Sequence, residues 1–68
     1  MSVKDLLAVE FSRVEDSGRN VGKVQMDFAT LVLLEIEDSE AVASAHIWGA
    51  KIELGSSGLP PLAWPLES

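Results

Sequence analysis

Sixty-eight residues with 5 Lys+Arg, 11 Asp+Glu and no Cys carry a formal net charge of −6 and make one domain at most. The absence of cysteine excludes disulfides and Cys-ligated zinc, the two commonest staples of small folds. The acidic balance argues against holding DNA or RNA through its phosphates, which takes clustered Lys and Arg.

A hydrophobic content of 47% with 24% charged residues describes a chain that folds. The charge is uneven. Residues 1–34 hold 4 basic and 5 acidic groups, whereas 35–68 hold 6 acidic groups and a single basic one, Lys51. The first residues show no basic segment leading into an apolar one, so no signal peptide is expected. The longest uncharged run, 54–66, is interrupted by Gly55, Gly58, Pro60, Pro61 and Pro65 and does not suit a membrane span. These features lead to the expectation of a cytoplasmic protein, intracellular or virion-associated.

In chain order, residues 6–14 (LLAVEFSRV) alternate in their second part. Leu7, Val9 and Phe11 share one side and Glu10 and Ser12 the other, which predicts a half-buried strand, with a short helical turn begun at Ser2 and taking in Leu6 and Leu7 as the alternative for its start. Residues 15–20 (EDSGRN) gather Asp, Ser, Gly and Asn and predict a hairpin loop. Residues 21–28 alternate again, with Val24, Met26 and Phe28 opposite Lys23, Gln25 and Asp27. Residues 30–37 (TLVLLEIE) follow as a third strand pattern. The junction at 27–30 has no Gly, Pro or Asn, so one long bent strand, or a bulge, is the alternative there.

Residues 37–40 (EDSE) punctuate the chain a second time, and 41–54 support two readings. As a helix, Asp38 or Ser39 caps it and Ala41, Val42, Ala45, Trp48, Gly49 and Ile52 form its apolar stripe. As a strand, Val42, Ser44, His46, Trp48, Ala50, Ile52 and Leu54 share a face, and this reading is preferred. Trp48 is assigned to the core in both. Residues 55–68 change character. Gly-Ser-Ser-Gly makes a flexible joint, and LPPLAWPL makes an extended, apolar, proline-fixed tail.

The expected fold is mainly β: a small antiparallel sheet or partly open barrel of three or four strands. A single helix within 40–54 is the α+β alternative. The expected organisation is a β-rich domain over 1–54 followed by the 55–68 joint and tail. A sheet this small leaves a face short of cover, so a homo-oligomer, most simply a dimer, is expected.

Candidates for chemistry are few. His46 is the single histidine and has only carboxylates for company, so it is read as an ordinary half-buried or surface side chain. Glu35, Glu37, Asp38 and Glu40 cluster but lack the spacing and glycine of a Ca²⁺ loop. They are read as solvated, or as a patch facing a basic partner. No nucleophile constellation is evident. No catalytic residue, metal or cofactor is therefore assigned. Leu59, Leu62, Trp64 and Leu66 are apolar surface that must fold back or dock on another chain, with Trp64 as the anchor.

The functional expectation is a non-catalytic, acidic protein-binding module: a small inhibitor, adaptor or accessory subunit, in the style of a phage or bacterial accessory protein. Its contacts would be Glu35, Glu37, Asp38, Glu40, Leu59, Leu62, Trp64 and Leu66. Its partner would be another protein or itself, with no direct nucleic-acid or membrane binding. The alternatives are a structural subunit of a larger assembly such as a virion, and a small ligand-binding or enzymatic barrel using His46.

Overall fold

The computed structural model describes residues 2–66. Among the described residues three helices and four strands follow one another as α1 (Val3–Glu15), β1 (Val21–Met26), α2 (Phe28–Glu37), α3 (Ser39–Ser44), β2 (His46–Ile47), β3 (Ala50–Leu54) and β4 (Leu62–Pro65). The architecture is α+β, which corrects the mainly-β expectation. The sheet is open and four-stranded, in the order β2-β3-β1-β4. It is also mixed, where an antiparallel one was expected. β1 and β3 run parallel at the centre, with antiparallel β2 and β4 at the edges. Because β1 and β3 are parallel and adjacent, they form a β-α-β unit, and the α2–α3 segment supplies its crossover.

Two predicted strands are helices. In α1 the buried side chains are Val3, Leu7, Phe11 and Val14, a spacing of four, four and three that lines one helical face. Ser2 and Asp5 start the helix with a reciprocal capping box: the Asp5 N–H donates to Ser2 Oγ at 3.1 Å and the Ser2 N–H to Asp5 Oδ2 at 3.2 Å. The alternation of Leu7, Val9 and Phe11 was incidental, because Val9 is exposed. In α2 the junction that lacked turn residues is a helix start. The Asp27 side chain accepts the Thr30 N–H at 2.8 Å as an N-cap. Within α2 the segment 31–34 (LVLL) is continuously apolar, and such a run fits either period.

The loop at 15–20 is a turn as expected, but it joins a helix to a strand; Gly18 takes φ +85° within it. The segment 41–54 combines both readings. The helical part ends at Ala45, whose φ of 57° is the left-handed C-cap conformation. β2 and β3 then form a hairpin whose two loop residues, Trp48 and Gly49, have φ of 50° and 84°. Positive φ at both positions is what a tight type I′ hairpin demands, and it accounts for Gly49. Trp48 is not in the core as expected. It is half-exposed and meets Phe11 edge to face, with ring centroids 5.0 Å apart.

The apolar tail returns to the sheet as β4. Ala63, opposite Val24, is its buried residue. Gly22 sits at a register irregularity between Val21 and Lys23. A Cβ there would lie 2.8 Å from the Leu66 Cα, so only glycine lets the chain pass this closely. Residues 67 and 68 of the expected tail lie outside the described residues. One core joins Val3, Leu7, Phe11 and Val14 to Leu34, Ala41 and the strand residues Val24, Met26, Ile47, Ala50, Ile52 and Ala63. The helices therefore cover one face of the sheet and leave the other open. No helix among the described residues is long and apolar enough to cross a membrane.

Candidate functional site

The open sheet face is the first candidate surface. Strand alternation sends Val24, Ala50, Ile52 and Ala63 inward and Lys23, Gln25, Lys51, Glu53, Leu62 and Trp64 outward. The register aligns His46, Lys51, Lys23 and Trp64 in one row across the four strands, and Glu53, Gln25 and Leu62 in the next. A shallow hollow of about 680 Å³ lies over these rows and is closed at one end by Pro65 and Leu66.

Trp64 is 43% exposed, and its ring is held in place from two sides. The indole N–H donates to Gln25 Oε1 at 3.2 Å, and the Lys23 ammonium stands 5.9 Å from the ring centroid. Glu53 lies between Lys23 at 3.5 Å and Lys51 at 3.8 Å. Exposed pairs of this kind contribute little to stability; they place two cations on the open face, Lys23 next to the Trp64 ring and Lys51 one strand further away.

The four expected apolar tail contacts separate. Leu62, Trp64 and Leu66 border the open face, whereas Leu59 lies in the 55–61 loop, beside a small hollow it shares with Asp27 and Pro60. The anchoring burial within the tail belongs to Ala63, and Trp64 remains available on the surface.

The acidic cluster also divides. Glu37 accepts the Val3 and Lys4 N–H groups at 2.8 and 3.3 Å and so caps the N-terminus of α1. These bonds, the Val3 one foremost, hold its carboxyl below the usual carboxylate range. Asp38 caps α3 through the Ala41 N–H at 3.2 Å and pairs with Lys4 Nζ at 2.9 Å. The Lys4 bond holds its carboxyl down in the same way. Glu37 and Asp38 therefore do structural work, while Glu35 and Glu40 are exposed.

His46 is exposed on β2, with Nδ1 2.8 Å from the Ser44 carbonyl. Among the described residues no three His, Asp or Glu side chains converge as metal ligands.

A second surface was missed. The outward side of α2 presents Phe28, Val32, Leu33 and Ile36, which are 71%, 42%, 54% and 79% exposed. Within α2 only Leu34 is fully buried, with Leu31 packed against the core at its edge. The signal was legible as an apolar run too long for the one helical face it had to bury.

No protein-family profile, curated protein or solved structure matches this chain.

Proposed function

We propose that this protein is a non-catalytic protein-binding module, an adaptor, inhibitor or accessory subunit, that seats its partner on the open sheet face around Trp64. The observation that carries the reading is the pre-oriented indole: Trp64 is exposed, yet fixed by Gln25 and Lys23. A rigid aromatic loses little side-chain freedom on binding, and tryptophan is among the commonest interface anchors. Lys23 beside it, with Lys51 one strand further across the face, favours a partner segment that offers an apolar side chain next to a carboxylate.

Affinity capture from the native cell extract tests this. A partner retained by the wild-type chain should be lost with Trp64→Ala and kept with Val9→Ala, an exposed change on α1. Retention of the same partner by Trp64→Ala would remove the sheet face from the interaction. A structural subunit of a larger assembly is the second reading. It is favoured by the presence of two separate uncovered surfaces, the sheet face and α2, which would let one chain bridge two neighbours. Solution mass separates the two, since a bridging subunit forms large, open-ended assemblies.

A further inference from the structure

We infer that the outward face of α2 is a homodimer interface, in which a second copy of the chain packs its own α2 antiparallel across a two-fold axis near Val32. The inference is independent of the Trp64 face.

The size of the patch is the first argument. Phe28, Val32, Leu33 and Ile36 together expose on the order of 500 Å², the scale of the largest patches that monomers keep in water, and such patches serve binding. Full burial of the patch in two copies would reach at most roughly 1,000 Å², the lower limit for a specific interface.

The second argument is the pattern. Phe28, Val32 and Ile36 fall on one i, i+4, i+8 ridge, and Ala29 and Leu33 on the ridge beside it. An isologous contact requires that residue i meet j wherever j meets i. The spacing four and four reads the same in both directions, so an antiparallel copy sets Phe28 against the partner's Ile36 and Val32 against the partner's Val32. Interlocking i±4 ridges cross at about −50°, the commonest arrangement of helix pairs.

Charge selects the occupant and the direction. Among its residues α2 carries Glu35 and Glu37 near its C-terminus and no Lys or Arg. An anionic lipid surface, which is held through basic residues, is a poor fit. A parallel copy would set Glu35 against Glu35. An antiparallel copy separates the two Glu35 side chains and moves each toward the partner's helix N-terminus, whose dipole offsets part of the charge of the Asp27 cap there.

The test is sedimentation equilibrium on the full chain. The wild type should be a dimer at micromolar concentration. Ile36→Glu, at a site exposed enough to spare the core, should weaken the dimer roughly 100-fold or more, as a central apolar contact does. Its circular dichroism should be unchanged, and Trp64→Ala should leave the dimer intact. Because the chain has no cysteine, Val32→Cys adds a unique thiol. A short bis-maleimide should then link two chains through Val32→Cys but not through Val9→Cys on α1. A wild type that stays monomeric across the range overturns the inference, and so does a dimer that survives Ile36→Glu or links equally at both thiols. A monomer whose photo-crosslinker at position 36 captures a different protein, or that floats with neutral lipid vesicles, overturns it as well and identifies the other occupant.

Discussion

Glu10 stands in for a missing neighbour strand at Ala63. Its Oε1 accepts the Ala63 N–H at 3.3 Å and the Arg13 guanidinium at 3.0 Å, and Arg13 donates in turn to the Ala63 carbonyl at 3.2 Å. Ala63 lies on an edge strand opposite Val24, and its outward N–H and C=O would otherwise invite another chain. Two side chains one helical turn apart thus close both groups of the residue. The Arg13 bond holds the Glu10 carboxyl below its ordinary range.

Glu10→Ala should lower stability by about 1 kcal/mol, because it strands an outward N–H on a nearly buried residue. The melting temperature should fall by roughly 4–8 °C for a domain of this size. The variant should also aggregate faster than the wild type at equal unfolded fraction, which light scattering at matched denaturation reads.

Acid should destabilise the fold through a small set of caps. Glu37, Asp38 and Asp27 all have folded-state pKa values below their ordinary ones, owing chiefly to Val3, Lys4 and Thr30 respectively. A depressed folded pKa contributes stability that is fully present above the unfolded value, about 4, and is lost as pH falls through the folded one. Urea midpoints should therefore be flat from neutrality to about pH 5 and drop below about pH 4. Glu37→Gln should be less stable at neutral pH and show a shallower acid limb. An acid limb as steep as that of the wild type would show that the α1 cap is not part of the response.

Ala45→Gly should stabilise the protein. Ala45 is exposed and held at φ 57°, a conformation that costs an L-residue about 1–2 kcal/mol and glycine almost nothing. The extra freedom of glycine in the unfolded chain returns about 0.4–1 kcal/mol of that. A net gain of about 0.5–1 kcal/mol should appear as a higher urea midpoint with an unchanged slope.

Gly22→Ala should do the opposite. The new methyl would meet backbone at the Leu66 Cα, and backbone cannot swing aside as a side-chain end can. A cost of about 1–3 kcal/mol follows from overpacking. Displacement of the adjoining β4 should shift the Trp64 emission and weaken any partner held at the sheet face.

What could be read from the residues depended on how many signals agreed. The segment at 21–26 combined alternation with a turn before it, and it is a strand. The segment at 15–20 carried turn chemistry and is a turn, whereas 37–40 is a helix junction in which Asp38 alone separates α2 from α3. Residues 7–14 and 30–37 alternate over a few positions yet are helices, because their caps and their four-residue apolar spacing outweigh a short period-two match. Ser2 with Asp5, and Asp27 with Thr30, mark both helix starts in the sequence. In 41–54 Trp48-Gly49 was hard to recognise as a hairpin turn, because tryptophan seldom takes positive φ. Of the site, Trp64, Leu62 and Leu66 were identifiable as apolar residues in need of cover. Lys23 and Lys51 were not, since only the parallel register of β1 and β3 brings positions 28 residues apart side by side.

The first and last elements of the fold lie against each other: α1 packs on β4, and β4 also completes the sheet beside β1. Neither end can peel away alone. Release of β4 strips Glu10 and Arg13 of their backbone partner and opens the core beside Leu7 and Phe11, and loss of α1 leaves Ala63 bare. Local fraying is therefore tied to the global transition. Backbone amides in α1 and in β4, fifty residues apart in the chain at Arg13 and Ala63, should exchange with solvent as one unit.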